Sequence, residues 1–153
     1  MLRHIIAGFE AKPALQDELF QEIALNIWKS LASFRAQSSA KTFVARIAHN
    51  VLATHVAKAV RTVKAEDDID KIEEHEHGHM HSTPYRELDQ RQRQQKLTQG
   101  IRLLKLEQQQ VITLALEGMS YLEIAETLAI STNLVGVRLQ RAKTKLKQLL
   151  EVI

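Results

Sequence analysis

Near the C-terminal end of the chain, apolar positions recur with the spacing of two short helices joined by a tight turn. Ser120 and Glu123 have the spacing of a capping box, which predicts a helix that begins at Tyr121. Met119 and Ile124 flank the box as a hydrophobic staple, which fixes how the chain enters the helix. The apolar face of this helix is formed by Leu122, Ala125 and Leu128.

A second helix is predicted directly after this one, with Ser131 as its N-cap. Its apolar positions follow at helical spacing: Val135, Leu139, Ala142, Leu146 and Leu149. No acidic residue occurs between Ser131 and Gln148. With Val135 turned inward, the 3.6-residue period turns five residues outward: Asn133, Val137, Gln140, Arg141 and Thr144. Two helices joined this tightly match a helix-turn-helix, and an outward face of this composition suits the major groove of duplex DNA.

The N-terminal half also has helical periodicity. A short helix is predicted to end within Leu2–Glu10, and Pro13 suits the first turn of the next helix. That helix has an apolar stripe at four-residue steps: Leu15, Leu19, Ile23, Ile27 and Leu31. Its opposite face is acidic near the start, which also favours a helix N-terminus in its own right. A polar loop follows over Ser33–Ser39, and a further helix is predicted from about Ala40 to Val63.

Charge is distributed unevenly along the chain, although the net charge is only +3. No Asp or Glu occurs from Ile23 to Ala65, and this acid-free block lies beside Trp28, Phe34 and Phe43. Cations interleaved with aromatic rings are typical of surfaces that bind unpaired bases through phosphate attraction and stacking. The alternative is that the rings belong to the core, which we expect for Trp28 and Phe43 but not for Phe34 in its polar loop.

The segment Glu66–Thr83 has the composition of a linker, acidic at first and then rich in histidine. Four histidines alternate within it: His75, His77, His79 and His81. They form either a loose Zn, Ni or Cu chelate or a solvated connector whose charge varies with pH. Because such a segment buries little apolar surface, we expect two helical domains without a shared core. A further helix is predicted to start at Ser82-Thr83-Pro84 and to run to about Leu104.

Composition restricts the function further. The chain has 153 residues, 5 Gly, 2 Pro and no Cys, which favours an all-α fold and excludes disulfides and thiolate metal sites. No apolar run is long enough to span a membrane and no signal peptide opens the chain, so we expect a cytoplasmic protein. The sequence has no Gly-rich phosphate loop and no catalytic constellation, so we expect neither an enzyme nor a cofactor.

Two sets of motifs resemble the sigma-70 family, and specifically its extracytoplasmic-function (ECF) group. The second half resembles sigma region 4, through Glu117-Gly118-Met119-Ser120-Tyr121, Glu123-Ile124-Ala125, Leu128, Ile130-Ser131, Val135, Arg138-Leu139 and Arg141-Ala142. The first half resembles region 2, through Glu18-Leu19-Phe20-Gln21-Glu22, Trp28, Phe34-Arg35-Ala36-Gln37-Ser38, Thr42-Phe43 and Arg46-Ile47-Ala48-His49-Asn50. The resemblance covers about Leu15–Val63 and Leu97–Leu150.

The resemblance implies a promoter-specificity subunit of bacterial RNA polymerase. Region 2 would span 1–65, with a truncated N-terminus, a linker 66–83 would follow, and region 4 would span 84–153. Region 2 of the family docks on the β′ clamp helices and captures the melted −10 strand. Region 4 docks on the β flap and reads the −35 duplex. The implied partners are therefore core polymerase, promoter DNA and an anti-sigma factor.

Specific residues are assigned to each of these partners. Those assigned to the −35 duplex are Thr132, Asn133, Val137, Arg138, Gln140, Arg141 and Lys145. Those assigned to the melted −10 strand are Phe34, Arg35, Gln37, Ser38, Lys41, Arg46 and Asn50. Those assigned to the polymerase are Glu18, Gln21 and Glu22, because carboxylates repel DNA phosphates.

The sequence also departs from the family pattern. Gly136 and Val137 stand where many relatives have Lys and Ser, and Ala129 replaces the usual turn glycine. Ala129 suits a turn that avoids positive φ. Two alternative functions remain at this point, a stand-alone helix-turn-helix regulator and a metal-responsive regulator that uses the histidine run.

Overall fold

A computed structural model describes residues 1–36, 38–65 and 85–153. Within these ranges the chain forms seven α-helices and no strand, which confirms the all-α prediction. The helices are α1 Leu2–Ala7, α2 Pro13–Ser30, α3 Ala40–Ala65, α4 Tyr85–Arg102, α5 Leu106–Leu116, α6 Tyr121–Leu128 and α7 Thr132–Val152. A 3-10 turn, Leu31–Ser33, follows α2. No helix in the described ranges is long and apolar enough to cross a membrane.

The helix starts in the C-terminal half follow from the local sequence. Ser120 Oγ accepts a hydrogen bond from the Glu123 backbone N–H at 3.2 Å, and Glu123 Oε1 accepts one from the Ser120 N–H at 3.1 Å. This reciprocal pair is the predicted capping box, so α6 begins at Tyr121 as expected. Ser131 Oγ accepts from the Leu134 N–H at 3.1 Å and caps α7. Both predicted caps are confirmed.

The turn between these two helices differs from the prediction. Ala129 has φ 56° and ψ 45°, so the expectation that this turn avoids positive φ is wrong. The Ile130 N–H donates to the Ala125 carbonyl at 3.1 Å, and this bond ends α6. Helices commonly end in this way at a left-handed residue, which is usually glycine. Ala129 therefore adopts a left-handed conformation between the end of α6 and the Ser131 cap of α7.

Several apolar side chains lie on the surface instead of in the core. Trp28 is 74% exposed, Leu31 is 49% exposed and Leu122 is 60% exposed, so the expectation that they face the core is wrong. Helix α2 buries Leu19 and Ile23, and Ile27 is partly buried against the core, but Leu25 and Trp28 are exposed. The buried face of α6 is rotated from the predicted one and contains Ile124, Ala125 and Thr127. The prediction for α7 is correct, since Val135, Leu139, Ala142 and Leu146 are all buried.

The described helices of the two halves share one hydrophobic core, so the expectation that the halves lack a common core is wrong, while the division into 1–65, 66–83 and 84–153 stays a prediction. Buried residues of both halves, such as Leu52 and Leu114, belong to a single cluster. Helix α3 packs against α5 and α6, and α1 packs against α5. The composition of the intervening segment restricts what that segment can bury, but it does not prevent the flanking helices from packing together. The predicted linker, its histidines and the Ser82-Thr83-Pro84 helix start lie outside the described residues.

Helix α3 contacts α1, α2, α5 and α6, and its inward face combines small and polar residues with one large apolar residue, Leu52. Ala45 and Ala48 are fully buried, and Thr42 and His49 are almost fully buried. Small side chains allow neighbouring helices to approach closely on several sides. Leu52 is also fully buried, whereas Phe43 is half-buried.

Candidate nucleic-acid interface

Helix α7 presents an outward face with the composition needed for groove binding. Its buried stripe fixes the helix against α5 and α6, so that the opposite face points to solvent. Six of the seven residues assigned to the duplex are exposed: Thr132, Asn133, Val137, Gln140, Arg141 and Lys145. None of these side chains forms an ion pair within the described ranges. The face is therefore free to contact base edges and phosphates.

Arg138, the seventh residue assigned to the duplex, lies at the edge of this face. Its Nη2 atom lies 3.5 Å from Glu107 Oε2 on α5, and its side chain is 25% exposed. The ion pair ties α7 to the start of α5 and orients the guanidinium along the helix flank. Arg138 is thus partly covered, whereas Arg141 is exposed.

The loop after α2 places Phe34 against Phe43. The two ring centroids lie 4.6 Å apart at an interplanar angle of 42°, and both side chains are half-buried. Arg35 beside them is exposed, and Ala36 has φ 54°. Gln37, the next residue assigned to the melted strand, lies outside the described residues. Phe34 and Arg35, two residues of the predicted strand-binding set, thus lie together as an aromatic pair with Phe43 and an exposed cation.

Two further cations assigned to the −10 strand contact the C-terminal half. Lys41 Nζ donates to the Glu117 carbonyl at 2.7 Å, and Arg46 Nη2 donates to the Glu126 carbonyl at 2.8 Å. Glu117 is the C-cap of α5, and Glu126 lies in the last turn of α6. Cations at helix C-termini are favourable because they meet unpaired carbonyl groups and the negative end of the helix dipole. The remaining residues of this set are Ser38, which is half-buried, and Asn50, which is exposed.

An exposed stripe runs along α2 and continues beyond the acidic residues identified in the sequence. Glu18, Gln21 and Glu22 are all exposed, as assigned to the polymerase. Leu25 and Trp28 follow at helical spacing on the same face and are 51% and 74% exposed. Sequence reasoning missed these two because large apolar residues were expected inside. Their spacing could have identified them, because Leu25 and Trp28 follow Glu18 by seven and ten residues and residues at this spacing lie on a similar side of a helix.

His49 is a buried polar group with an unusual environment. Its side chain lies edge-on to the Phe9 ring, with ring centroids 5.6 Å apart, and neither ring nitrogen has a hydrogen-bond partner in the described structure. Burial lowers the pKa of His49 from 6.5 to about 4. The neutral ring therefore acts as a core side chain.

No group of three or more potential metal ligands occurs among the described residues. The alternating histidines that suggested a chelate lie in the segment beyond the described ranges.

Comparison with known proteins gives two family matches in the order of the motifs. The family description Sigma-70 region 2 matches residues 1–62, and Sigma-70, region 4 matches residues 94–146. Together they account for well over half of the chain. No curated protein matches the sequence.

Two solved structures share the fold over almost the whole chain. One is the sigma factor RpoE in complex with the anti-sigma factor NepR from Bartonella quintana, with a TM-score of 0.73 and 23% identity over 99% of this chain and 90% of that one. The other is CnrH in complex with the cytosolic domain of CnrY, with a TM-score of 0.65 and 20% identity over 99% of this chain and 80% of that one. With both region 2 and region 4 matched in their family order, the chain belongs to the sigma-70 family, as a sigma factor of the ECF group.

Proposed function

We propose that this sigma factor reads the −35 duplex with the exposed face of α7 and captures the melted −10 strand with the Phe34 loop and the start of α3. The observation that carries the proposal is the contrast between the two sides of α7. One side is buried, and the other is exposed and has basic residues but no acid from Thr132 to Gln148. A helix with these two sides fits a major groove with its register fixed by the core.

The chemistry of the α7 face supports base reading. Asn133 and Gln140 carry amides that can pair with the N6 and N7 atoms of adenine, and Arg141 can pair with O6 and N7 of guanine. Val137 offers an apolar contact for a thymine methyl group. Lys145 is suited to a backbone phosphate, which positions the helix without specifying sequence. Specificity thus resides in a few residues near the helix start.

For the melted strand, the Phe34–Phe43 pair provides an aromatic surface next to Arg35. A base turned out of its stack can lie on such a surface, and the neighbouring cation attracts its phosphate. Lys41, Arg46 and Asn50 extend the surface along α3. In this proposal the N-terminal half binds unpaired bases and does not enter a groove of duplex DNA.

For the polymerase, the exposed stripe of α2 supplies both charge and apolar area. Carboxylates at Glu18 and Glu22 suit a basic partner surface, and Trp28 is the residue type that most often dominates binding energy at interfaces. We assign this stripe to the β′ clamp helices and the C-terminal half to the β flap. The factor itself carries out no chemistry in this scheme and acts in the cytoplasm on the polymerase that does.

An anti-sigma factor is a further proposed partner. Both similar structures are complexes of a sigma factor with a protein partner, and in one the partner is named an anti-sigma factor. We infer that this chain is held by a protein of the same kind.

The polymerase assignment is tested by charge reversal on the stripe. Glu18→Lys with Glu22→Lys should weaken binding to core polymerase by tenfold or more, measured by fluorescence anisotropy of labelled sigma factor. Trp28→Ala should act in the same direction. Glu18→Gln with Glu22→Gln, which removes the two charges without reversing them, should weaken binding to a smaller extent.

Unchanged polymerase affinity of the stripe variants would remove the assignment. Specific duplex binding by the factor without polymerase would instead support the stand-alone regulator.

A further inference from the structure

We propose that Glu107 tunes the duplex affinity of α7: by pairing with Arg138 it withholds one cation from the DNA phosphates. Glu107 acts through Arg138 and does not contact DNA, so it is a positioning residue. This role rests on the proposed function of α7 as the helix that enters the groove. It concerns phosphate contacts, which act on every sequence alike, and leaves base reading to other residues of the face.

Three cations follow one another along a single flank of α7. Arg138, Arg141 and Lys145 are spaced by three and four residues, so they lie in one row beside the outward face. Arg141 and Lys145 are exposed and form no ion pair within the described ranges. Arg138 differs from both, since its side chain is 25% exposed and its Nη2 atom lies 3.5 Å from Glu107 Oε2. One member of the row is thus neutralised within the protein.

The position of Glu107 is fixed by the packing of α5 on α7. Val111 and Leu114 of α5 and Val135 of α7 are fully buried in the common core. Glu107 lies in the first turn of α5, where the helix dipole favours a carboxylate. The fold therefore holds a carboxylate beside a helix that has no acid of its own from Thr132 to Gln148.

The two charges matter more for DNA binding than for folding. An ion pair between exposed side chains contributes little to stability, because water screens it and two long side chains must be ordered. A duplex carries one negative charge per roughly 1.7 Å of its axis. An unpaired carboxylate on this flank would repel the duplex, and an unpaired guanidinium would bind it. Paired, Glu107 and Arg138 present no net charge to the phosphates.

A withheld cation limits binding outside the promoter. Phosphate contacts strengthen binding to every sequence, whereas base contacts strengthen binding only where the sequence matches. A genome offers about 10⁶ to 10⁹ competing sites, so general duplex affinity holds a DNA-binding protein at wrong positions. The pair therefore shortens the time that α7 spends on DNA that lacks its recognition sequence.

The test measures binding of the full chain to random-sequence duplex DNA. Fluorescence anisotropy of a short labelled duplex gives the affinity between about 50 and 200 mM salt, where phosphate contacts dominate. Glu107→Gln frees Arg138 for a phosphate and should bind at least about fivefold more tightly at the lower salt concentration. This advantage should shrink about threefold at the higher concentration, since one added phosphate contact steepens the salt slope by about 0.9. A role of Glu107 in stability alone would not steepen the slope.

A neutral pair distinguishes a withheld cation from one that contacts DNA. Glu107→Gln with Arg138→Gln leaves the net charge of the flank unchanged, so its affinity and salt slope should equal those of wild type. If Arg138 leaves Glu107 and binds a phosphate in the complex, the double variant loses that contact and its slope falls by about one unit. That result would overturn the proposal, and so would equal salt slopes of Glu107→Gln and wild type.

Glu151→Gln is the matched control, because it makes the same charge change at an exposed position of the same helix. At about 1.5 Å per residue it lies about 20 Å from Arg138. That distance is about two screening lengths at 0.1 M salt, so the affinity and the slope should stay close to those of wild type. Circular dichroism in the same buffer checks that each variant retains its helices.

Arg141→Ala separates this role of Glu107 from the proposed function. If Arg141→Ala binds random duplex as tightly as wild type, α7 is not the duplex surface, and the proposed function fails together with the role of Glu107. If Arg141→Ala weakens binding while Glu107→Gln does not strengthen it, the proposed function stands and tuning by Glu107 is excluded.

Discussion

The two proposed DNA-binding surfaces differ in what holds them in place. The α7 surface depends on local features: a serine cap, a turn and a buried stripe on the same helix. The surface around Phe34 and the start of α3 depends on distant parts of the chain, since Lys41 and Arg46 bind carbonyls 76 and 80 residues away. The first surface is ready to bind, whereas the second is engaged within the molecule.

This difference fits the two kinds of DNA. A duplex is rigid and presents its groove without rearrangement, so a preformed helix face can bind it directly. Unpaired bases are exposed only after melting, which requires unstacking energy of a few kcal/mol. Experiments on the two surfaces should therefore separate into effects before and after melting.

The largest expected effect on the duplex side is that of Arg141. Arg141→Ala should weaken closed promoter binding by about 1 to 3 kcal/mol if the guanidinium contacts a base, or lower the salt slope by about one unit if it contacts phosphate. Gel shifts of holoenzyme at low temperature measure this step. Lys143→Ala is the control, because it removes an exposed cation of the same helix outside the outward face.

The corresponding change on the strand side is Phe34→Ala. It should leave closed binding intact and reduce strand opening by about 1 to 3 kcal/mol, the usual contribution of one stacked base. Permanganate footprinting of the −10 region measures opening, and Phe34→Tyr, which retains the ring, should open normally. If Phe34→Ala opens DNA normally while the Arg141 variant fails only at melting, the roles of the two surfaces are reversed.

The same division explains what the sequence could predict. The helix starts at Tyr121 and Thr132 were predictable because Ser120 and Ser131 act within a few residues. The left-handed Ala129 was not, since alanine usually avoids this region and the turn imposes it.

Long-range packing was the other source of error. The exposure of Trp28 depends on which helices cover α2, and the shared core depends on how two separately patterned halves fit together. The spacing of apolar residues within one helix predicts neither the exposure of Trp28 nor the shared core. Six of the seven residues assigned to the duplex are exposed on α7, Arg138 is paired with Glu107, and Lys41 and Arg46 bind carbonyls of the C-terminal half.

His49 should make the N-terminal half sensitive to moderate acid. Because its folded-state pKa of about 4 lies below its ordinary value of 6.5, the unfolded chain binds the proton first as pH falls. The stabilisation is complete above pH 6.5 and is lost as pH falls towards 4. Between pH 7.5 and pH 5 the free energy of unfolding should decrease by about 2 kcal/mol from this residue.

Urea unfolding of wild type and His49→Leu at both pH values measures this contribution. The variant should lose correspondingly less stability on acidification, and hydrogen exchange should show the acid effect in α3 amides before α7 amides. An identical pH dependence in the two proteins would exclude His49 as the acid-sensitive group.

The smallest expected effects lie in the helix-turn-helix. Ala129 lies at a left-handed backbone position that favours glycine, whereas Gly136 lies inside a helix, where alanine is favoured. Ala129 has φ 56°, where an L side chain costs roughly 1 to 2 kcal/mol, so Ala129→Gly should stabilise the protein by about 0.5 to 1 kcal/mol after the greater backbone entropy of glycine is counted. Gly136 lies inside α7, and a Cβ there would be 3.5 Å from Tyr121 Cε2, an ordinary contact.

Gly136→Ala should therefore add up to about 1 kcal/mol through helix propensity. Gly118→Ala is the opposing control: its Cβ would meet no atom within 4 Å, yet φ is +80°, so it should destabilise through the backbone alone. Urea unfolding measures all three variants. Because the turn and helix are local, the two stabilising changes should leave Phe34-dependent strand opening unaffected. If either change alters the free energy of strand opening as much as it alters the free energy of unfolding, the two surfaces are coupled although the contacts that hold α7 are local.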